Sequence, residues 1–249
     1  MTRQSWVCGE FLTQGNEGMR VITAGQILSF LILFTLTLAL GILTTRYLLS
    51  ELPLSDFRGV TLVIAAAILI YLYTFVIYRL LLYFMSLGEG NLTEGSREEF
   101  VAQVNVLFYL VLFNALIRTH FLPVPLMRLI YIALGAHLGR NTYSAGTILD
   151  PPLTFIGDNS LIGHDAVLFA HAIEGQRFSL GAIRIGNNVT VGAHTIIMSD
   201  VIIGDGAIIS AGAVVLKGSR IGKDEVWGGN PARMLHSAAH VPDGRQSID

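Results

Sequence analysis

His171 and Glu174 stand three residues apart in a stretch that is otherwise mostly small or apolar. A histidine beside a carboxylate is well suited to moving a proton near neutral pH. The carboxylate would fix the imidazole tautomer and favour its protonated form, so that the pair could supply a general base. The alternative is that His171 merely ends a structural repeat and Glu174 is a solvated loop residue. Cys8 is the sole cysteine, which excludes an intrachain disulfide framework and any multi-cysteine zinc or iron–sulfur site.

The element that must position this pair is a repeat. Ile185, Val191, Ile197, Ile203, Ile209, Val215 and Ile221 recur at every sixth place, and Trp227 takes the next. Glycine often follows the aliphatic residue (Gly186, Gly192, Gly204, Gly222), where it would allow a tight corner. A period of six fits neither a helix nor an alternating strand; it is the period of a coil of short strands in which each rung needs a neighbour to bury its apolar face. Counting back from Leu168 in sixes gives Ile162, Ile156, Asp150, Ser144 and Leu138, with Ser144 and Asp150 poor matches. From Leu168 to Ile185 is 17 residues, so the segment 172–182 leaves the coil as a loop. Loops on rigid scaffolds are where sites tend to sit, and His171 is at the root of this one.

The hexads resemble those of the hexapeptide-repeat acyltransferases, and the resemblance implies a left-handed parallel β-helix spanning 138–228, three hexads to a turn, in a homotrimer. A histidine ending a rung, an excursion and then Ala182-Ile-Arg-Ile-Gly186 resembles the part of those enzymes where the histidine deprotonates the acceptor for attack on a thioester. Gly229-Asn-Pro-Ala-Arg233 is similar to the family's ending, where a short C-terminal helix begins; here that would lie in 229–249. The resemblance implies donor-binding roles for Lys217, Arg220, Asn230 and Arg233, cations suiting phosphate, although surface charge explains the first, second and fourth equally and turn formation explains Asn230. Leu134-Gly-Ala-His-Leu-Gly-Arg140, Ile156-Gly-Asp-Asn-Ser160 and His171-Ala-Ile-Glu-Gly-Gln-Arg-Phe-Ser-Leu-Gly181 resemble the membrane-attached acyltransferase-like part of polylysine-synthetase-type peptide enzymes. The donor implied is acyl-CoA or a carrier-protein phosphopantetheine thioester, bound only as substrate; no permanent cofactor or metal is required.

Of the 249 residues 52% are hydrophobic and 14% charged, and the mean hydropathy is +0.59. That is too apolar for an ordinary soluble domain and points to segments in lipid. A formal charge of −2 without a basic block argues against nucleic acid as a partner. Residues 1–20 are polar and mixed. Residues 21–87 read as two membrane-crossing helices joined by a turn at Pro53, a helical hairpin, and Gly88–Gly95 as a linker. The apolar run from Phe100 to Ile117 carries Gln103, Asn105 and Asn114, with Arg118 just past its end; on a helical wheel Asn114 and Arg118 fall about 20° and about 60° from Gln103, a stripe that suits a helix lying in the interface or facing protein better than one surrounded by lipid, so 96–135 is an interfacial helix or a third span with its connector. Arginines after the hairpin favour an inner, cytoplasmic-membrane protein with the β-helix in the cytoplasm.

The expected function is therefore transfer of an acetyl, longer acyl or aminoacyl group to a hydroxyl or amine, with membrane lipids, a trimer partner and, for a carrier-bound donor, a carrier protein as partners. Two other readings remain: a non-catalytic trimeric membrane scaffold, and a zinc enzyme of the γ-carbonic-anhydrase kind, whose three-histidine pattern the spacings of His164, His171 and His194 match poorly.

Overall fold

The computed structural model describes residues 21–49, 55–119 and 122–237. The N-terminal segment 1–20, the turn at Pro53 and all residues after Ser237 lie outside the described residues. Helix α1 (Ala24–Leu49) and helix α2 (Arg58–Phe84) are uninterrupted apolar runs. A third runs as α3 (Arg97–Phe108), a π-helical turn (Tyr109–Phe113) and α4 (Asn114–Arg118). All three are long and apolar enough to cross a membrane. Helices α1 and α2 touch where Gly41 faces Ile70: a Cβ on Gly41 would come within 3.0 Å of the Ile70 Cα. Small residues permit such close backbone approach between apolar helices.

The third helix differs in its surroundings. Its most apolar stretch is 56% buried, against 17% and 6% for α1 and α2, so it packs against protein rather than lying apart from it. That accounts for the polar residues Gln103 and Asn105: both are buried, the Tyr78 hydroxyl donates to Asn105 Oδ1 at 2.5 Å, and Phe108 packs edge-on against Phe30. Between α2 and α3 the expected linker holds a strand, β1 (Gly90–Leu92).

Helix α5 (Val124–Ala133) joins the bundle to the coil. Its Tyr131 is fully buried, donating to Gly146 O at 2.8 Å and accepting from Ile148 N at 3.2 Å. Arg128 Nη2 donates to Gly139 O at 2.9 Å. Tyr131→Phe removes both bonds and is expected to cost about 1–3 kcal/mol, read as a lowered unfolding midpoint of the detergent-solubilised protein.

The coil begins with β2 (His137–Leu138), β3 (Tyr143–Ser144), β4 (Thr147–Ile148), β5 (Thr154–Ile156), β6 (Leu161–Ile162) and β7 (Val167–Leu168). After the excursion, β8 (His171–Glu174) and β9 (Arg177–Leu180), come β10 (Ile183–Ile185), β11 (Thr190–Val191) and β12 (Ile196–Ile197). Then follow β13 (Ile202–Ile203), β14 (Ile208–Ile209), β15 (Val214–Val215), β16 (Arg220–Ile221), β17 (Glu225–Gly228) and β18 (Arg233–Ser237). Every third coil strand pairs in parallel: β2, β5, β10, β13 and β16 form one face, β3, β6, β11, β14 and β17 the second, and β4, β7, β12 and β15 the third. This is a parallel β-helix. The repeated aliphatics point inward: Ile162, Leu168, Ile197 and Val215 are 0% exposed.

Four expectations need correction. The corner residue is not the glycine that follows the aliphatic; Asn159, Asn188, His194 and Asp200 take the left-handed conformation there, with φ of 54–58°. The glycines admit the next rung instead, since a Cβ on Gly204 would sit 2.7 Å from Lys223 N. The segment 172–182 is not an irregular loop. It forms the hairpin β8–β9, with β1 added antiparallel to β9; its length is as expected, because strands flanking it pair 29 residues apart (Leu168 with Ile197) against 18 in the regular turns (Ile185 with Ile203). In the first turn Ser144 holds its coil position opposite Ile162, but Asp150 does not: Ile148 takes the place opposite Leu168. Finally, no helix starts after Pro231 within the described residues. Arg233–Ser237 returns as β18, antiparallel to β17, which covers the last edge of the coil.

Candidate active site

Asp150 is freed from the core by the slip of two residues in the first turn. Ile148 fills the inward position, and Pro151 opens a short 3₁₀ turn to Leu153, leaving Asp150 at the corner between β4 and β5. The corner of the next turn, between β7 and the hairpin, lies directly over it. There Asp150 Oδ2 accepts from Ala170 N at 2.7 Å and His171 N at 3.2 Å, and from His171 Nδ1 at 2.7 Å. The carboxylate side chain is 3% exposed and the imidazole 28%. Two backbone donors and a buried setting thus fix the carboxylate that meets the ring.

This arrangement fixes the proton inventory. Because a carboxylate accepts, the Nδ1 proton of His171 points at Asp150 and Nε2 carries the lone pair. Among the described residues no protein group bonds Nε2. Burial pulls the His171 pKa down, but the hydrogen bond and the charge of Asp150 outweigh it, and the balance lies above the ordinary histidine value.

Glu174 is not the carboxylate that orients His171. Along strand β8 residues three apart project to opposite faces, and Glu174 Oε2 accepts instead from Lys217 Nζ at 3.1 Å. Lys217 Nζ also donates to Ser179 Oγ at 3.0 Å, pinning both strands of the hairpin to the coil. Arg220 is engaged as well, its Nη2 donating to Asp200 Oδ1 at 2.9 Å. His171, Glu174, Lys217 and Arg220 are thus gathered along the corner between the β4–β7–β12–β15 face and the β2–β5–β10–β13–β16 face. Asn230 and Arg233 sit past the final rung, exposed, with Arg233 Nη1 donating only locally to Ala232 O at 3.3 Å. His164 and His194 meet edge-on at a different corner, with ring centroids 6.5 Å apart. Among the described residues no three His, Cys, Asp or Glu side chains gather as metal ligands do.

Neither of two cavities found among the described residues contains His171. One of about 220 Å³ lies between Ile117, Val124 and Met127 of the helices and Ser144, Thr147 and His164 of the coil. The other, an open groove of about 510 Å³, runs over His137, Phe155 and Arg184. His171 instead sits on an open corner, a place where a second surface would be needed to enclose a substrate.

Comparison with known proteins agrees with the repeat. Residues 182–217 match the family model described as bacterial transferase hexapeptide (six repeats). Mitochondrial gamma carbonic anhydrase 1 of Arabidopsis thaliana is 38% identical over 83 residues, 33% of this chain and 26% of that protein. Among solved structures, a hexapeptide-repeat acetyltransferase of Vibrio cholerae, complexed with acetyl coenzyme A, is 27% identical over 42% of this chain and 61% of its own, with a TM-score of 0.38. A galactoside acetyltransferase in complex with coenzyme A is 32% identical over 42% and 56%, with a TM-score of 0.37. The chain thus spans about a quarter of the curated relative and about three fifths of these solved chains.

Proposed function

We propose that the chain is a membrane-anchored acyltransferase in which His171, held by Asp150, removes the proton of an acceptor hydroxyl or amine as it attacks a phosphopantetheine thioester. The observation that carries this reading is the 2.7 Å bond from His171 Nδ1 to a buried carboxylate, with Nε2 open. The acceptor oxygen or nitrogen bonds to the thioester carbonyl while its proton passes to Nε2. The tetrahedral intermediate then expels the thiolate, which recovers that proton from the imidazolium. Asp150 steadies the ring while it carries the charge. The description of the matched repeat as a transferase repeat supports the same reaction class.

In this proposal the coil is left-handed and trimeric. Ile196, Ile202 and Ile208 stand 37–41% exposed on its flat faces, and neighbouring copies would cover them and supply the second surface that the open corner lacks. The donor is acyl-CoA or an acyl- or aminoacyl-carrier protein. Lys217 and Arg220 are placed to meet its phosphates once released from Glu174 and Asp200, and Asn230 and Arg233 complete the donor side. The apolar helices hold the site at the inner membrane with the coil in the cytoplasm, which favours an amphiphilic acceptor such as a lipid-linked sugar or a lipid amine. Thiol release by the detergent-purified protein, with acetyl-CoA, longer acyl-CoA and acyl-carrier thioesters each offered beside a membrane-lipid extract, tests the reading. Release that depends on the extract supports it and names the donor class; a lack of release with every donor contradicts it.

The carbonic anhydrase relative supports a second reading, a zinc hydratase. His164 and His194 lie on a different corner from His171, and among the described residues no three His, Cys, Asp or Glu side chains gather as metal ligands do. Zinc bound by the purified protein together with carbon dioxide hydration would favour it over acyl transfer.

A further inference from the structure

The hairpin that begins at His171 is bound to the chain between the membrane helices. Strand β1 pairs with β9 in the register Gly90–Leu180, Asn91–Ser179 and Leu92–Phe178, and β9 pairs with β8 so that Leu180 faces His171. Gly90, Leu180 and His171 therefore lie in one line across a three-stranded sheet. Leu92 and Phe178 are buried, at 7% and 1% exposure. Just before this line Glu89 grips the point where the hairpin rejoins the coil: its Oε2 accepts from Ala182 N at 3.2 Å, and its Oε1 from Arg184 Nη2 at 2.5 Å. Gly90 makes the turn into the strand at φ +122°, a conformation closed to other residues. A solenoid needs none of this, because its rungs hold one another.

We propose that Glu89–Leu92 is a strap that positions His171, with Glu89 as its lock. The proposal rests on His171 being the base. The strap fixes the lateral place of the strand that carries the imidazole, so that Nε2 is presented at a set distance from the helices and hence from an acceptor delivered by the bilayer. Glu89 acts through the hairpin and touches no reacting atom. The apolar β1–β9 contact gives the strap its hold, and the Glu89–Arg184–Ala182 contacts set its register.

The test uses the full-length protein in detergent, comparing wild type, Glu89→Ala and Glu89→Gln. Hydrogen exchange is followed by mass spectrometry at residues 171–182 and, as an internal reference, at 196–221. Glu89→Ala is expected to raise exchange at 171–182 at least tenfold with the reference unchanged, and to lower kcat for acyl transfer five- to twentyfold with the donor KM changed less than twofold. Glu89→Gln, which keeps an acceptor for Ala182 N–H, should recover part of both effects, and it carries the test alone if the alanine variant does not fold. Unchanged exchange at the hairpin would overturn the strap, and so would raised exchange with an unchanged kcat. Failure of the base assignment is read separately, from a His171→Ala protein that keeps wild-type transfer.

Discussion

His171→Ala lowers acceptor-dependent acyl transfer by about 10²- to 10⁴-fold, the range that removal of a positioned general base costs, while the coil stays folded. The reason for the second half of that expectation is structural. The imidazole is 28% exposed and lies at a corner rather than among the inward aliphatics, so its loss opens no cavity in the core. The carboxylate it leaves behind keeps its two backbone donors, Ala170 N and His171 N. The donor KM should move little, because no phosphate-binding group is removed. Initial rates on size-matched, equally folded preparations of both proteins measure this.

Asp150 gives the second large effect, and two substitutions separate its roles. Asp150→Ala strips the acceptor from three donors at once and leaves two buried amides unpaired. It should cost about 1–3 kcal/mol of stability for each amide so orphaned and reduce transfer by about 10²-fold or more, since nothing then fixes the ring tautomer. Asp150→Asn is expected to be milder, about tenfold in rate. The side-chain oxygen of asparagine can occupy the place of Oδ2 and still accept from Ala170 N, so the tautomer survives and only the charge that steadies the imidazolium is lost. Thermal midpoints and initial rates measured on both variants check the order; equal losses in the two would mean that charge alone matters.

Much of this architecture was legible in the residues because the spacing itself is physical. The beat from Ile185 to Ile221 requires short parallel strands, and the 17-residue gap between Leu168 and Ile185 announced an 11-residue excursion that the 29-residue pairing of Leu168 with Ile197 reproduces. His171 was found at its root. Asp150 was missed because a constant period of six placed it at a core position and marked it as a poor match. An acidic side chain at an apolar position, followed by Pro151 and Pro152, signals that the grid has slipped; counted from Leu168, Ile148 satisfies the core and frees the carboxylate. Glu174 is near His171 along the chain, but in a strand the third residue on faces away. The terminal strand Arg233–Ser237, expected as helix by family likeness, carries no helical period of its own. The stripe of Gln103, Asn114 and Arg118 leaves an interfacial helix and a third span both open; the fold buries Gln103, and only the fold shows that Tyr78 is the partner of Asn105. The strap at β1 was hidden, since Gly88–Gly95 has the composition of a linker and its pairing with Phe178–Leu180 is long-range.

The most direct test of the central claim, that neutral His171 held by Asp150 is the base, is the pH dependence of kcat/KM for acceptor-dependent thiol release by wild type and Asp150→Asn. The base works only when Nε2 is unprotonated, so the rate falls as pH drops through the His171 pKa. Asp150 raises that pKa, so the acid limb of the wild-type profile should be centred above the ordinary histidine value of about 6.5, and loss of the carboxylate charge should move it to lower pH. An acid limb at the same pH in both proteins, or one that persists in His171→Ala at the wild-type rate, would contradict the account.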